Sequence, residues 1–174
     1  MQLDSKEKIE ILKSIFENVN YWLTHIEAKN GALIAFDIAT IGAIISSDIY
    51  SKARFLSTIT VILLIGSTIV AFYSFIPITR WVEKEEGTVN ENDNLIFFAD
   101  IAKYDINTYT KKFYEIYCEE NNYSLHSTPK LIMDYISEII ENSKITMRKN
   151  KLFKLGIKMT LLAALFCISA VIVA

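Results

Sequence analysis

The residues best suited to chemistry in this chain are aromatic rings and lysines between positions 97 and 123. Aromatic rings stack on a nucleobase and ammonium groups hold a phosphate, so this mixture is typical of a nucleotide site. The commoner role for any single ring is to form the core of a small domain, and that alternative stays open. The candidate ligand-binding residues are Lys103, Tyr109, Lys111, Lys112 and Phe113.

A second candidate is Asp37, an ionisable residue inside an otherwise apolar run at 31–47. A carboxylate that faces lipid costs a few kcal/mol or more, so Asp37 must face protein or water. One interpretation is a helix-packing contact, for example with Thr40 or Thr58. The other is a pore-facing or oligomer-specifying carboxylate. A helical seam continued from the amino-terminal segment places Asn30, Asp37 and Thr40 on one face.

Motifs for catalysis and metal binding are missing from the sequence. It has no phosphate-binding glycine loop, no zincin helix and no nucleophile elbow. His25 and His126 are isolated, and the two cysteines, Cys118 and Cys167, have no evident activating partner. We therefore expect no catalytic residue, no metal site, no cofactor and no enzymatic activity.

Hydropathy divides the chain into apolar spans and charged segments. Over 174 residues the hydrophobic content is 52% and the net charge is -2, which argues against a nucleic-acid-binding protein. A helix needs about 20 apolar residues to cross a bilayer. We predict transmembrane helices at 31–47, 55–78 and 152–174, a cytoplasmic amphipathic helix at 1–30 and a cytoplasmic sensor module at 79–151.

Two of the predicted helices extend beyond the membrane. The first carries a heptad-like apolar seam, has Ser5 as a candidate cap and meets no helix-breaking residue before it enters the first span. The last begins after Thr128 and Pro129 and continues into the third span. Between them, Asp105 or Thr108 can cap a short helix. The predicted fold is an all-α integral membrane protein with three transmembrane helices, whose terminal helices extend into a small helical cytoplasmic module.

The predicted topology follows from charge. The amino-terminal residues are charged and lack the pattern of a signal peptide. Basic residues crowd the entry to the third span, namely Arg148, Lys149, Lys151 and Lys154. The positive-inside rule then places the amino terminus in the cytoplasm and the carboxyl terminus in the periplasm or outside the cell.

Two segments resemble the Pycsar transmembrane effector family. The segment NVNYWLTHIEAKNGALIAFDIATIGAII resembles its opening helix, and NLIFFADIAKYDINTYTKKFYE resembles its cytoplasmic stretch. The corresponding residues are Asn20, Trp22, Glu27, Ala28, Lys29, Asn30, Phe97, Phe98, Asp100, Ile101 and Tyr109. Asp37 departs from the family pattern, in which we expect an apolar or small neutral residue in many members.

The resemblance implies an anti-phage effector in the bacterial inner membrane. A companion cyclase would make a cyclic pyrimidine mononucleotide, cCMP or cUMP, and the effector would sense it and impair the membrane, so that the cell stops growing or dies. We expect a homo-oligomer, because three spans cannot by themselves enclose a pore. The alternatives are an ion channel or pore subunit triggered by another signal, and a structural membrane protein that docks a cytoplasmic partner.

Overall fold

The computed structural model describes residues 3–77, 88–119 and 128–174, and all regular elements in these ranges are helices. The all-α prediction is therefore confirmed. The helices are α1 (Ser5–Ile45), α2 (Asp48–Lys52), α3 (Arg54–Tyr73), α4 (Phe98–Ile101), α5 (Ile106–Tyr117) and α6 (Lys130–Val173). Among them α1, α3 and α6 are long and apolar enough to cross a membrane.

The two long helices are continuous, as the sequence predicts. No break separates the amphipathic part of α1 from its apolar part, and α6 likewise runs without interruption into the last apolar segment. The start of α1 is a reciprocal cap: the Asp4 carboxylate accepts the Glu7 N–H at 2.8 Å, and the Glu7 carboxylate accepts the Asp4 N–H at 2.8 Å. The prediction that Ser5 caps this helix is wrong, because Asp4 fills that position and Ser5 is already helical.

The second apolar helix, α3, ends earlier than its apolar run. The run was predicted to span 55–78, whereas α3 covers Arg54–Tyr73. The Ser74 hydroxyl donates to the Ala71 carbonyl at 2.7 Å and so occupies an acceptor of the last turn. Pro77 follows shortly after. Because proline lacks the backbone N–H that a helix needs, the helix cannot continue through it.

The chain divides into two compact units. Unit 1 comprises Met1–Thr24 and Ile78–Met147, and its described residues form one apolar core. The core side chains come from α1, α5, α6 and the region around α4, and include Leu12, Ile15, Val19, Leu95, Ile101, Tyr104, Tyr109, Phe113, Ile132, Ile136 and Ile139. Asp105 caps α5 by accepting the Thr108 N–H at 2.9 Å. The predicted loop residues Tyr123 and His126 lie outside the described residues.

Unit 2 comprises His25–Pro77 and Arg148–Ala174, and it contains the apolar parts of α1, α3 and α6. Small residues allow these helices to approach closely. A Cβ atom added to Gly156 would lie 2.9 Å from Leu33 Cδ2 and 3.4 Å from Ser67 Oγ. Such small residues at helix contacts are typical of membrane bundles. The exposed side chains of the unit are largely apolar, as lipid contact requires; examples are Phe36, Ile38, Ile62, Ile69, Leu161 and Leu165.

Candidate functional site

The predicted ligand-binding rings lie in the interior of unit 1. Tyr109 and Phe113 are both 0% exposed and belong to the core. The Tyr109 hydroxyl donates to the Leu95 carbonyl at 2.7 Å, and burial raises the pKa of this phenol. In this conformation both rings therefore serve the packing role that the sequence left open for them.

Lys103 is held by two carboxylates. Its Nζ donates to Asp100 Oδ1 at 2.6 Å and to Asp93 Oδ1 at 2.7 Å, and these bonds raise the pKa of the lysine. Burial alone would raise the pKa of Asp93, but the Asn90 N–H and Lys103 outweigh it and lower that pKa. Burial raises the pKa of the adjacent Tyr104 to about 12. These charges fix the segment that precedes α5.

The other two predicted lysines differ in exposure. Lys111 is exposed and pairs with Glu115 at 3.7 Å in an i, i+4 contact along α5, whereas Lys112 is half-buried. An exposed pair of this kind contributes little to stability, so Lys111 can exchange its partner at small cost. The assignment of these five residues to a ligand site stays a prediction.

The family-motif residues of unit 1 attach the segment before α4 to α1. Trp22 contacts the rings of Phe97 and Phe98, with centroid distances of 6.3 and 5.7 Å. Asn142 Nδ2 donates to Asn20 Oδ1 at 2.9 Å, which joins α6 to α1. Asn20, Trp22, Phe97 and Phe98 thus hold helices and segments of unit 1 together. Asp100, another of the family-motif residues, is a carboxylate that pairs with Lys103.

In unit 2 the motif residues Glu27 and Asn30 meet the basic start of the last apolar segment. Lys149 Nζ donates to Glu27 Oε1 at 2.7 Å and lies 5.6 Å from the centroid of the Phe75 ring. Asn30 is 0% exposed, and its Nδ2 donates to the Ile26 carbonyl at 3.1 Å and approaches the Lys149 carbonyl at 3.5 Å. We call Glu27, Asn30 and Lys149 the polar collar; it ties α1 to α6.

Asp37 belongs to a second polar cluster, where α1, α3 and α6 meet. It is 0% exposed, and its Oδ1 accepts the Thr160 hydroxyl at 2.9 Å. The Thr160 hydroxyl lies 2.8 Å from Ser67 Oγ, which also approaches the Gly156 carbonyl at 3.0 Å. We call Asp37, Ser67 and Thr160 the inner triad. Each of the three apolar helices supplies one member.

Asp37 thus makes a contact between helices in this structure, with a different partner from those expected, and the choice between a packing and a pore-facing role stays a prediction. The Thr40 hydroxyl donates to the Phe36 carbonyl at 2.8 Å, and the Thr58 hydroxyl donates to the Arg54 carbonyl at 2.8 Å. Both threonines thus bond to their own helices. The signal that sequence reasoning missed is the Gly156–Thr160 spacing, since small residues four apart mark a contact face of a membrane helix.

Three buried side-chain oxygens of unit 2 have no hydrogen-bond partner among the described residues: Asn30 Oδ1, Asp37 Oδ2 and Thr68 Oγ1. A buried acceptor without a donor costs roughly 1–3 kcal/mol. At these oxygens the packing of unit 2 leaves a polar group without a partner among the described residues.

Comparison with known protein families gives a match over most of the chain. A family model described as the Pycsar effector protein domain matches residues 11–174. That range includes the polar collar, the inner triad and all five predicted ligand-binding residues. The chain matches no curated protein and no solved structure.

Proposed function

This chain belongs to the Pycsar effector family, an anti-phage family linked to a cyclic nucleotide signal, and we propose that it senses cCMP or cUMP and then disrupts the membrane it spans. Family membership confirms the resemblance drawn from the sequence. The proposed membrane is the bacterial inner membrane, with the amino terminus in the cytoplasm and the carboxyl terminus outside. The proposed protein is a non-enzymatic effector whose action stops growth or kills the infected cell.

The observation that carries this proposal is the continuity of α1 and α6. Each is one unbroken helix that supplies side chains both to the aromatic core of unit 1 and to the apolar helices of unit 2. A ligand changes a conformational equilibrium only if it binds one arrangement better than another. A nucleotide that prefers a different packing of α1, α5 and α6 in unit 1 would therefore act on the same two helices that carry Asp37 and Thr160.

The proposed ligand region is the α5 side of unit 1. Lys111 and Lys112 supply cations for the phosphate, and Lys111 is the exposed one. Tyr109 and Phe113 are buried, so they would meet a base only in a rearranged core. Lys103 would reach a phosphate only by leaving Asp93 and Asp100. This requirement for rearrangement is what couples binding to a change of conformation.

The proposed lesion needs more than one copy of the chain. The three apolar helices of unit 2 meet through the inner triad, and a hydrated path wide enough for ions requires more walls than three helices provide. We propose that the ligand-bound chain assembles into a homo-oligomer in which the interior polar groups of unit 2 contact water.

The test is a titration of the purified full-length chain with cCMP and cUMP. Binding is followed by calorimetry, and dye release from liposomes containing the protein is followed in parallel. We expect one of the two nucleotides to bind and to cause release. Folded protein that binds neither would refute the nucleotide proposal, and binding without release would refute the membrane proposal.

A matched pair of lysine variants tests the ligand region. Lys111 pairs with Glu115 at 3.7 Å and its side chain is 64% exposed; Lys13 pairs with Glu17 at 4.0 Å and its side chain is 62% exposed. Lys111→Gln should weaken nucleotide binding severalfold, while Lys13→Gln should leave it unchanged. Equal nucleotide affinities for the two variants would show that the binding site does not include Lys111 of α5.

A further inference from the structure

An open apolar groove runs along unit 2 between α1 and α6. Its volume is about 450 Å³, and its walls include Ala32, Phe36, Phe153, Ile157 and Leu161. On α6 the lining residues extend from Phe153 to Ala164. At 1.5 Å per residue this stretch is roughly 16 Å long, close to half of a bilayer core about 30 Å thick. The groove therefore has the length of one lipid leaflet.

One end of the groove carries an available positive charge. Lys29 lies at this end, is exposed, and its Nζ is 5.9 Å from the centroid of the Phe153 ring. Within the described residues no hydrogen bond or ion pair involves the Lys29 ammonium. Lys149, by contrast, is paired with Glu27. Lys29 thus offers an unpaired ammonium at the point where the apolar walls begin.

We propose that this groove binds one anionic phospholipid, with the phosphate at Lys29 and an acyl chain against the walls formed by Phe36, Ile157 and Leu161. The apolar walls match an acyl chain, and Lys29, the basic residue of the lining, stands at the level of the headgroup beside the basic residues that precede the last apolar segment. Basic groups next to grooves between transmembrane helices recognise anionic headgroups for this reason.

A second copy of unit 2 would be a poorer occupant of the groove than a phospholipid. The acidic residues of this unit are Glu27, Asp37 and Asp48. Glu27 is paired with Lys149, Asp37 is 0% exposed, and Asp48 follows the opposite end of α1. A copy inserted in the same direction therefore brings no unpaired carboxylate to Lys29, whereas a phospholipid brings a phosphate. This proposal is independent of the proposed nucleotide signal.

Native mass spectrometry of the full-length chain with added phosphatidylglycerol or phosphatidylcholine tests the site. We expect the wild-type chain to retain the anionic lipid about fivefold more than the zwitterionic lipid, the effect of one lysine near an anionic headgroup. Lys29→Gln should reduce this preference, because the basic residues beside Phe153 remain. The matched control is Lys52→Gln, an exposed lysine at the other end of the apolar helices, which should keep it.

A third variant fills the groove without changing charge. Ala32 is exposed and lines the walls, so Ala32→Phe should reduce retention of both lipids while helicity by circular dichroism stays unchanged. Equal retention of the two lipids by the wild-type chain would overturn the proposal. It would also be overturned if Ala32→Phe changed the number of chains per particle and left lipid retention intact, since the groove would then be an interface between copies.

Discussion

Replacing Thr160 by valine removes one hydroxyl from the inner triad and keeps the shape of the side chain. Thr160→Val deprives Asp37 Oδ1 of its donor, now at 2.9 Å, and removes the group that lies 2.8 Å from Ser67 Oγ. Because Asp37 Oδ2 already has no partner among the described residues, the whole carboxylate would then be buried without a donor. The substitution should therefore destabilise unit 2.

Two general values bound the loss of stability expected for Thr160→Val. A hydrogen bond between membrane helices contributes about 0.6 kcal/mol on average. A buried acceptor left without a donor costs roughly 1–3 kcal/mol. Asp37 and Thr160 are 0% and 5% exposed, so water does not replace the lost donor, and we expect a loss of about 2 kcal/mol. For a chain of this size that loss lowers Tm by roughly 4–8 °C.

Thermal unfolding in detergent, followed by circular dichroism, measures the change. Thr160→Ser keeps the hydroxyl and is the control; its Tm should stay near that of the wild type. Combining Thr160→Val with Asp37→Leu should recover part of the loss, because replacing both partners by apolar groups removes the unpaired carboxylate. Equal Tm values for the serine and valine variants, or strictly additive effects in the double variant, would refute the reasoning.

Three further perturbations have defined outcomes. Gly156→Leu should lower the stability of unit 2 by about 1–3 kcal/mol in the same melt, since even its Cβ would lie 2.9 Å from a neighbouring methyl group. Glu27→Gln should cost about 1 kcal/mol, because Lys149 loses its partner but Glu27 is 42% exposed and water replaces part of the interaction. Unit 1 should lose stability in acid. The loss begins as pH falls below 3.8, the ordinary pKa of Asp93, and continues as pH falls through the lowered pKa that Asp93 has in the folded protein. Unit 1 should also lose stability in base. This loss begins as pH rises above 10.5, the ordinary pKa of Lys103, and continues as pH rises through the raised pKa that Lys103 has in the folded protein.

Each of these predictions has its own check. Gly42→Leu is the control for Gly156→Leu, since nothing lies within 4 Å of a Cβ added at Gly42. If both variants lost similar stability, close helix approach at Gly156 would not be the cause. Glu17→Gln is the control for the collar glutamate, and its Tm should not move. For the pH effect, Trp22 fluorescence in a Trp81→Phe background reports on unit 1. An acid midpoint that Asp93→Asn leaves unchanged would count against the ion pair as its source.

The amino-acid sequence determined the element types and the spans. Helical periodicity and bilayer-length apolar runs are properties of neighbouring residues, so the continuity of α1 and α6 could be predicted without a structure. The capping of α5 by Asp105 is equally local, because the side chain bonds to a backbone group three residues away. The end of α3 at Tyr73 was less predictable, since the apolar run continues past the last helical turn.

The tertiary structure alone decided which polar groups meet inside unit 2. Asp37 bonds to Thr160, 123 residues away, and Glu27 pairs with Lys149, 122 residues away. The helical pattern could place Asp37 on an inward face, but the expected partners Thr40 and Thr58 lie on α1 and α3, whereas Thr160 lies on α6. Which side chain stands opposite a buried carboxylate depends on the rotation and axial register of packed helices. Those are set by the sum of many contacts, including the close approach at Gly156, and not by any single segment of the chain.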